Sequence, residues 1–230
     1  MSGQPMTPAA FDALYRRDPD PWGYRERPYE RAKYADTLRA CGPGPFDAAL
    51  ELGGSIGEFT ALLTPRCRRL RSLDASPAAV ELARERLAAL PAGSPRDRVP
   101  QRDPNPHSSD AVGGDVHALL GTIPADLPHD RFDLVVASEV LYYLPQAEFD
   151  ATLVALRERL APGGRLVAVH YVPPGPERPL TAAAVHAALR AQPWLASVER
   201  SDRGDYLLDV LESLPRPPRP AVPDPREADR

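Results

Sequence analysis

The segment Leu-Glu-Leu-Gly-Gly-Ser-Ile-Gly-Glu-Phe-Thr at residues 50–60 constrains the fold of this chain more than any other feature. An apolar run ends there in Glu51, and a turn that contains Gly53 and Gly57 leads into a helix-like segment. Glycine lets the backbone leave a strand sharply and approach a ligand closely. A strand, turn and helix in this order typically bind a nucleotide at the edge of an open α/β sheet. Asp74 ends the next apolar run, about 20 residues further on, where an acid suits a bidentate grip on ribose hydroxyls.

The spacing of the glycines distinguishes between the nucleotides that such a turn can bind. Dinucleotide-binding folds use G-x-G-x-x-G, in which backbone amides and a helix dipole face a pyrophosphate. This chain has Gly53-x-x-x-Gly57 instead, with Glu51 before the turn and Glu58 directly after it. Two carboxylates would repel a phosphate, but they are compatible with a ligand that carries a positive sulfonium. The pattern resembles the class I S-adenosylmethionine (SAM) methyltransferases, in which the position of Ser55 is often glycine.

The same turn permits a second interpretation. Residues 53–57 read Gly-Gly-Ser-Ile-Gly, which has the form G-x-S-x-G of the nucleophile elbow in α/β-hydrolases. Ser55, Asp133 and His170 would supply the chain order of a hydrolase triad. A hydrolase needs several strands and an oxyanion-hole loop before the elbow, whereas the preceding residues read as helices and a polar loop. We therefore rank the hydrolase below the methyltransferase.

Composition narrows the class of protein. The chain has 230 residues, of which 43% are hydrophobic and 26% are charged, and this indicates one soluble α/β domain with a core. The net charge of −4 favours neither a nucleic acid nor an anionic membrane as a partner. The two cysteines show no metal or disulfide spacing, and no apolar run reaches membrane-spanning length. We expect a cytoplasmic protein without a metal; the sequence does not indicate its oligomeric state.

Apolar runs alternate with amphipathic segments, which predicts a mostly parallel sheet with helices on both faces. The predicted strands cover residues 47–52, 69–74, 111–114, 132–137, 165–171, 196–201 and 205–212, and the last two form an antiparallel hairpin. The predicted helices cover residues 8–17, 29–41, 58–63, 77–90, 145–160 and 180–191. The predicted division is an N-terminal helical arm or lid (1–42), a SAM-binding domain (43–213) with a flexible proline-rich insertion (91–110), and a disordered proline-rich tail (214–230).

Further landmarks extend the resemblance to class I methyltransferases over nearly the whole chain. They are Asp74, Gly-Asp-Val at residues 114–116, and Leu-Ala-Pro-Gly-Gly at residues 160–164. Three more segments, at residues 20–24, 29–34 and 138–144, resemble the family of nodulation protein S, which N-methylates an amino sugar. The resemblance implies a Rossmann-like methyltransferase fold with a seven-stranded, mostly parallel sheet, a terminal antiparallel hairpin and an N-terminal helical lid. It also implies SAM as the cofactor and a small molecule as the methyl acceptor.

The resemblance implies roles for individual residues around SAM. The implied cofactor-binding residues are Trp22 in the lid, Arg31 at the carboxylate, Glu51, Gly53 and Gly57 around the amino-acid end, Asp74 at the ribose, Ala75, Asp115 and Val116 around the adenine, and Ser138 near the methyl group. Four of them have a structural alternative. Trp22 could anchor the core, Arg31 could be a solvated helix charge, and Asp115 could be a plain turn residue. Asp74 could merely cap the following helix, but Ser76-Pro77 already supplies that cap, so ribose binding is favoured.

The candidates for the acceptor end follow the fourth and fifth predicted strands. Glu139 and His170 lie where ligands bind in such sheets, so both are candidates to orient or deprotonate the acceptor. Tyr142 and Tyr143 are candidates to line the acceptor pocket. We expect methyl transfer to a small polar acceptor, such as the amine of an amino sugar or a specialised metabolite. Transfer to a hydroxyl group and a SAM-binding partner protein without catalysis are the alternatives.

Overall fold

A seven-stranded sheet organises the fold. The computed structural model describes residues 6–90 and 114–215. The strands are β1 (Ala49–Leu52), β2 (Arg69–Asp74), β3 (Asp115–Leu120), β4 (Phe132–Ser138), β5 (Leu160–Tyr171), β6 (Leu195–Asp202) and β7 (Tyr206–Ser213). The helices are α1 (Pro8–Arg17), α2 (Pro28–Cys41), α3 (Glu58–Leu63), α4 (Pro77–Ala88), α5 (Gln146–Arg159) and α6 (Ala182–Arg190).

The strand order is β3-β2-β1-β4-β5-β7-β6. Strands β1 to β5 are parallel to one another, and β7 runs antiparallel between β5 and β6. The predicted mostly parallel sheet with a terminal antiparallel hairpin is therefore confirmed. The order reverses between β1 and β4, and in open sheets of this kind a ligand binds beside such a reversal, at the carboxyl ends of the strands.

Strand β4 lies at the centre of the sheet because its side chains are apolar on both faces, as in a buried parallel strand. Leu134 and Val136 are fully buried on the face covered by α2 and α3, while Val135 and Ala137 are fully buried on the face covered by α5 and α6. Both faces of the sheet are thereby filled with packing side chains. Side chains that could bind a ligand therefore lie at the ends of the strands.

The predicted ends of three helices are confirmed. Thr7 caps α1, since its hydroxyl accepts a hydrogen bond from the Ala10 amide at 3.2 Å, and Ser76 caps α4 in the same way. Helix α2 ends at Gly42, whose φ of 94° is a backbone conformation that favours glycine. The local sequence thus sets where these helices begin and end.

The predicted third strand at residues 111–114 is wrong. Residues 111–113 lie outside the described part of the chain, and β3 begins at Asp115 and ends at Leu120. Strand β3 is at the edge of the sheet, and of its six side chains only Ala118 is buried. An edge strand with so little buried apolar surface lacks the continuous apolar run that identifies β4. Asp115, which was predicted to follow the carboxyl end of the third strand, therefore lies at the amino end of β3.

The N-terminal residues pack on the domain through two different helices. Helix α2 contributes Ala40 and Cys41 to the core. Helix α1 is held through Asp12, whose Oδ1 accepts hydrogen bonds from the Ala78 amide at 2.9 Å and from the Ser76 hydroxyl at 3.1 Å. The predicted domain boundary at residue 42 stays a prediction. The predicted insertion (91–110) and residues 216–230 of the predicted tail lie outside the described residues.

None of the helices in residues 6–90 and 114–215 is long and apolar enough to cross a bilayer.

Gly54 in the turn after β1 provides a test of the packing below the glycine turn. A Cβ atom at this position would lie 1.8 Å from Ser72 Oγ and 3.2 Å from Ser72 Cβ. We expect Gly54→Ala to lower the free energy of unfolding by about 1–3 kcal/mol, as overpacking does. Ser72→Ala removes the closest atom, so the double variant should recover part of the loss in a denaturation cycle. Strictly additive effects of the two substitutions would contradict the predicted clash.

Candidate functional site

A cavity of about 980 Å³ lies at the carboxyl ends of strands β1 to β4. Its floor is formed by Gly53 and Ser55 after β1, Asp74 at the end of β2, and Ser138 and Glu139 at the end of β4. Helix α1 and the loop between α1 and α2 contribute to the opposite wall. The volume is at the upper end of the roughly 300–1,000 Å³ range for small-molecule pockets, so it can hold a cofactor together with an acceptor.

Asp74 lines the cavity where the sequence predicts the ribose. Its Oδ2 accepts a hydrogen bond from the Ser55 amide at 2.8 Å, and its Oδ1 accepts one from the Ser76 amide at 2.9 Å. Each oxygen keeps a further lone-pair site, which suits a pair of hydroxyl donors. Burial raises the pKa of Asp74, while the amides of Ser76 and Ser55 act to lower it. The carboxylate is therefore held in one orientation by the glycine turn and by the start of α4.

Ser55 does not belong to a hydrolase triad. Its hydroxyl is 2.5 Å from the Tyr15 hydroxyl. Asp133 lies at the amino end of β4, where it accepts hydrogen bonds from the amides of Asp47 and Ala48 at 2.8 and 3.0 Å. His170 is fully buried and its ring is bonded elsewhere, as described below. The three side chains are not brought together, so the hydrolase interpretation is wrong.

Residues after β2 and β3 form the end of the cavity where the resemblance implies adenine. Ala75 lines it as predicted, opposite Gly121, Thr122 and Ile123. The Thr122 amide and hydroxyl both donate to Asp126 Oδ2, at 2.8 and 3.0 Å, which fixes this turn. The sequence interpretation missed these residues because it placed β3 too early. The apolar end of β3 followed by glycine was the signal that could have found them.

The predicted adenine contacts of Asp115 and Val116 are wrong. Asp115 pairs with Arg69 at the amino ends of β3 and β2, at the opposite end of the strands from Asp74. Its carboxylate lies 2.6 Å from an Arg71 guanidinium nitrogen, whose hydrogen bond lowers the pKa of Asp115. Val116 packs against the core, and neither residue lines the cavity.

The acids on either side of the glycine turn have different roles. Glu51 is buried below the turn, where its Oε2 accepts a hydrogen bond from the Thr60 hydroxyl at 2.5 Å. It borders a small adjoining cavity of about 20 Å³, which has room for one water molecule. Glu58 forms ion pairs with Arg25, at 2.8 Å, and with Arg86. Because Glu58 is neutralised in this way, it does not contribute to the repulsion of phosphate that the sequence suggested.

Glycine is needed at positions 53 and 57 for different structural reasons. Gly53 lines the cavity with a φ of 73°, and a Cβ there would lie 2.9 Å from Val140 Cβ. Gly57 has a φ of 79°, and a Cβ there would lie 3.1 Å from the Cα of Ala83 in α4. Gly57 does not line the cavity. Its predicted contact with the cofactor is replaced by close packing between α3 and α4.

Lys33 forms the centre of a buried cluster at the end of the cavity beside the carboxyl end of β4, where the sequence predicts the acceptor. Its ammonium lies 3.0 Å from Glu30 Oε2 and 2.9 Å from Glu139 Oε1, and it is 4% exposed. Burial acts to lower the pKa of Lys33, but Glu139 and Glu30 together raise it above its usual value. Burial raises the pKa of Glu30. The sequence interpretation missed Glu30 and Lys33, whose i,i+3 spacing on α2 was the available signal.

Glu139 is fixed by three donors. Besides Lys33, the Tyr142 hydroxyl and the Tyr171 amide donate to its Oε2, the latter at 3.0 Å. Its φ of 56° is in the left-handed region, which is uncommon for a residue other than glycine and marks a constrained site. Ser138 and Glu139 both line the cavity, as their position after β4 predicts.

Aromatic rings form much of the cavity wall. Tyr142 and Tyr143 both line it, with their ring centroids 4.7 Å apart in an edge-to-face arrangement. The Arg178 guanidinium lies 4.8 Å from the centroid of the Tyr142 ring and also lines the cavity. Trp22 lines the cavity and packs on Tyr15, with ring centroids 5.4 Å apart. Trp22 also packs against a small core cluster, and its predicted role in a lid over the cofactor stays a prediction.

Two more predicted site residues, His170 and Arg31, lie outside the cavity. His170 is fully buried; its Nε2 accepts a hydrogen bond from the Leu141 amide at 3.2 Å, and its Nδ1 is 3.1 Å from His186 Nε2. A side chain with both ring nitrogens bonded inside the protein cannot reach an acceptor, so its predicted catalytic role is wrong. Arg31 donates to the Glu26 carbonyl at 2.8 Å and does not line the cavity, whereas Arg27 does.

Metal ligation was sought in the same described ranges. No group of three or more His, Cys, Asp or Glu side chains there could hold a metal ion.

Comparison with known proteins agrees with this geometry. The family model described as "Methyltransferase domain" matches residues 50–166, which include the glycine turn, Asp74 and Glu139. The chain belongs to this methyltransferase family. It is also similar to the nodulation protein S of Rhizobium tropici, with 34% identity over 150 residues. That alignment covers 64% of this chain and 53% of the relative, so the chain spans about half the length of this curated relative.

Two solved structures extend the comparison. The N-methyltransferase NodS from Bradyrhizobium japonicum WM9, in complex with S-adenosylhomocysteine, matches with a TM-score of 0.70 and 26% identity over 87% of this chain and 96% of that chain. A putative methyltransferase from Pseudomonas syringae matches with a TM-score of 0.61 and 32% identity over 81% of this chain and 99% of that chain. The resemblance to class I methyltransferases and to nodulation protein S is confirmed.

Because Glu51 is buried, the free energy of unfolding of this protein should depend on pH. Burial raises the pKa of Glu51 to about 7, whereas an exposed glutamate has a pKa of about 4.3. Its contribution to stability is therefore fully present below about pH 4 and is lost as the pH rises through about 7. We expect Glu51→Gln, which does not titrate, to gain stability relative to the natural chain between these limits, by an amount on the order of 3 kcal/mol.

The measurement for Glu51 is chemical denaturation of both chains across this pH window. Glu58→Gln serves as the matched control, because Glu58 flanks the same turn but is paired with two arginines. A difference between Glu51→Gln and the natural chain that stays constant with pH would show that Glu51 has an ordinary pKa in the folded protein.

Proposed function

We propose that this chain is a SAM-dependent methyltransferase that transfers a methyl group to the nitrogen of a small polar acceptor, such as an amino sugar or another amine-bearing metabolite. The observation that carries the proposal is one cavity that is lined both by Asp74, suited to a ribose, at the end of β2 and by the Lys33-centred carboxylate cluster beside the end of β4. Membership of the methyltransferase family supports it, as does the similarity to an N-methyltransferase in complex with S-adenosylhomocysteine.

The residues around the glycine turn fit SAM. Asp74 offers two oriented carboxylate oxygens to the ribose hydroxyls, and Ala75 leaves space beside Ile123 for a flat, apolar base. At Gly53 a Cβ would contact Val140, so the backbone of the turn lies close to the cavity. SAM would supply a methyl group on a sulfonium, which is electrophilic without help from a metal.

The acceptor end favours a cationic group. Glu30 and Glu139, when ionised, carry two negative charges against the one positive charge of Lys33. The remaining negative charge attracts an ammonium group, and the site is buried enough for this attraction to be strong. An ammonium must lose a proton before its nitrogen can attack, and Glu139 is the carboxylate in position to receive it.

The same cluster argues against a hydroxyl acceptor. A hydroxyl group is a weak nucleophile unless a base removes its proton during attack. The two predicted bases were Glu139 and His170, and His170 is buried outside the cavity. Glu139 already accepts hydrogen bonds from Lys33, Tyr142 and the Tyr171 amide, and a hydroxyl proton is far less acidic than the ammonium proton that this carboxylate would receive from an amine. An amine, once neutral, has a lone pair that attacks without further deprotonation.

The proposal is tested by incubating the protein with SAM and paired acceptor probes. A glucosamine disaccharide supplies primary amines, and cellobiose supplies hydroxyl groups on a similar ring. We expect mass spectrometry to detect methylation of the amine and none of cellobiose. Methylation of hydroxyl groups alone would indicate an O-methyltransferase. Binding of S-adenosylhomocysteine without turnover across a wide amine panel would favour the SAM-binding partner without catalysis.

Asp74 is predicted to hold the cofactor. Asp74→Ala should weaken S-adenosylhomocysteine binding by about 1.5–3 kcal/mol, the range for hydrogen bonds to a charged group, as measured by calorimetry. Asp133→Ala is the matched control, since Asp133 also accepts two backbone amides but lies at the amino end of its strand. Equal affinities for the natural chain and for Asp74→Ala would exclude Asp74 from the ribose site.

Glu139 is predicted to act on the acceptor and not on the cofactor. Glu139→Gln keeps a hydrogen-bond acceptor for Tyr142 but removes the charge, so kcat for the amine probe should fall by about 10²–10⁴-fold. The affinity for S-adenosylhomocysteine should change little. Glu199→Gln is the control, because it breaks another ion pair of α2, with Arg39 at 3.2 Å, outside the cavity. Similar losses in both variants would attribute the effect to the packing of α2.

A further inference from the structure

A buried row of polar groups, called here the hydrogen-bond chain, runs from Asp209 on β7 to the Leu141–Tyr143 turn beside Glu139. Asp209 on β7 lies 3.0 Å from His186 Nδ1 on α6, and His186 Nε2 lies 3.1 Å from His170 Nδ1 on β5. His170 Nε2 in turn accepts the hydrogen bond of the Leu141 amide at 3.2 Å. His170 and His186 are fully buried, and Asp209 is 1% exposed. The methyltransferase chemistry proposed above uses none of these three side chains.

The positions of the protons in this chain follow from its two ends. The Leu141 amide can only donate, so His170 Nε2 must be unprotonated and its proton must be on Nδ1. That proton faces His186 Nε2, which must therefore accept it, and His186 carries its own proton on Nδ1 toward Asp209. Asp209 is also paired with Arg190 at 2.5 Å. With these tautomers both ring nitrogens of His170 are hydrogen-bonded, and His186 Nδ1 faces the Asp209 carboxylate at 3.0 Å without a well-aligned hydrogen bond.

The charge environment agrees with this assignment. Burial and the neighbouring His186 lower the pKa of His170 well below its usual value, so His170 is neutral near pH 7. Burial acts to raise the pKa of Asp209, but His186 and Arg190 bring it below its usual value. A charged carboxylate at one end and the neutral His170 at the other agree with donation in one direction along these groups.

The hydrogen-bond chain ends at the Leu141–Tyr143 turn, which shapes the acceptor end of the cavity. Leu141, Tyr142 and Tyr143 form a short 3₁₀ helix directly after Glu139 and Val140. Tyr142 donates its hydroxyl to Glu139 and lines the cavity, and its ring centroid is 5.0 Å from that of His170. A change in the orientation of the His170 imidazole would therefore move the Leu141 amide and the Tyr142 phenol that binds Glu139.

We propose that His170 and His186 are positioning residues, which hold the Leu141–Tyr143 turn in the geometry that the acceptor and Glu139 require. The importance of this geometry for turnover rests on the proposed function, whereas the hydrogen-bond chain itself does not. Neither histidine contacts the cavity, so both act through the turn. This explains a histidine at the end of β5 that can take no part in proton transfer to the acceptor.

The first measurement uses the S-adenosylhomocysteine-bound natural chain and long-range ¹H–¹⁵N spectra of the imidazoles at pH 7.5. We expect His170 as the neutral Nδ1–H tautomer and slow hydrogen exchange at the Leu141 amide. His170 found as the Nε2–H tautomer, or charged, would overturn the proposal, because Nε2 could then not accept from Leu141.

Two substitutions of His186 test the coupling. His186→Phe removes the acceptor for His170, so the His170 tautomer should become mixed and Leu141 should exchange roughly fivefold to tenfold faster, the effect of losing one buried hydrogen bond. His186→Gln places an amide oxygen near the same site and should keep both signals. Leu189→Ala is the matched control, because it truncates a fully buried side chain of the same helix and leaves Asp209, His186 and His170 unchanged.

Each outcome decides the proposal. Leu141 exchange that accelerates equally in His186→Phe and Leu189→Ala would show general destabilisation of α6 and overturn the coupling. With the glucosamine disaccharide and SAM, His186→Phe should lower kcat/KM for the amine about tenfold and leave KM for SAM within about twofold. Unchanged amine kinetics would overturn the positioning role. Absence of turnover in the natural chain would instead count against the proposed function, while the tautomer and exchange results would still decide the hydrogen-bond chain.

Discussion

One buried ammonium group determines how the N-terminal part of this chain meets its sheet. Lys33 on α2 is enclosed by Glu30 from its own helix and by Glu139 from the end of β4. Removing three charged groups from water is costly, and the ion pairs repay that cost only when the geometry is good. Glu139 meets this condition in a left-handed backbone conformation, where the Tyr171 amide and the Tyr142 hydroxyl also donate to it. The same contacts that fix α2 therefore also shape the acceptor end of the cavity.

The sequence predicted elements whose signals are local and failed where the signal depends on distant neighbours. Strand β4 is apolar on both faces and Ser76-Pro77 is a complete start signal for α4, so both were predicted closely. Strand β3 is an edge strand with one buried side chain, and its pattern is too weak to locate from the sequence. That single error placed the predicted adenine contact at Asp115, which lies at the amino end of β3 and outside the cavity. Asp74, which ends a clear apolar run, was placed at the correct strand end.

The acceptor end was less predictable because its partners are far apart in the chain. Glu30 and Lys33 are one helical turn apart, and nothing local indicates that Glu139 lies beside them. His170 was predicted as a base because it ends a strand at the ligand-binding edge. Its actual partners are the Leu141 amide and His186 on α6. Position along a strand indicates which edge of the sheet a residue occupies, but only tertiary packing decides whether its side chain faces the cavity or the core.

The electrostatics of the cavity are consistent with a cationic cofactor and a less cationic product. Burial raises the pKa of Asp74 and of Glu30, both of which line the cavity, and of Glu51 below the glycine turn. Ionised carboxylates in such surroundings are less stable than in water, and a nearby positive charge offsets part of that cost. On the proposed function, the sulfonium of SAM supplies this charge and the thioether of S-adenosylhomocysteine does not. The buried acids would then favour the substrate form of the cofactor over its product, and methyl transfer itself would weaken the attraction that holds the cofactor in place.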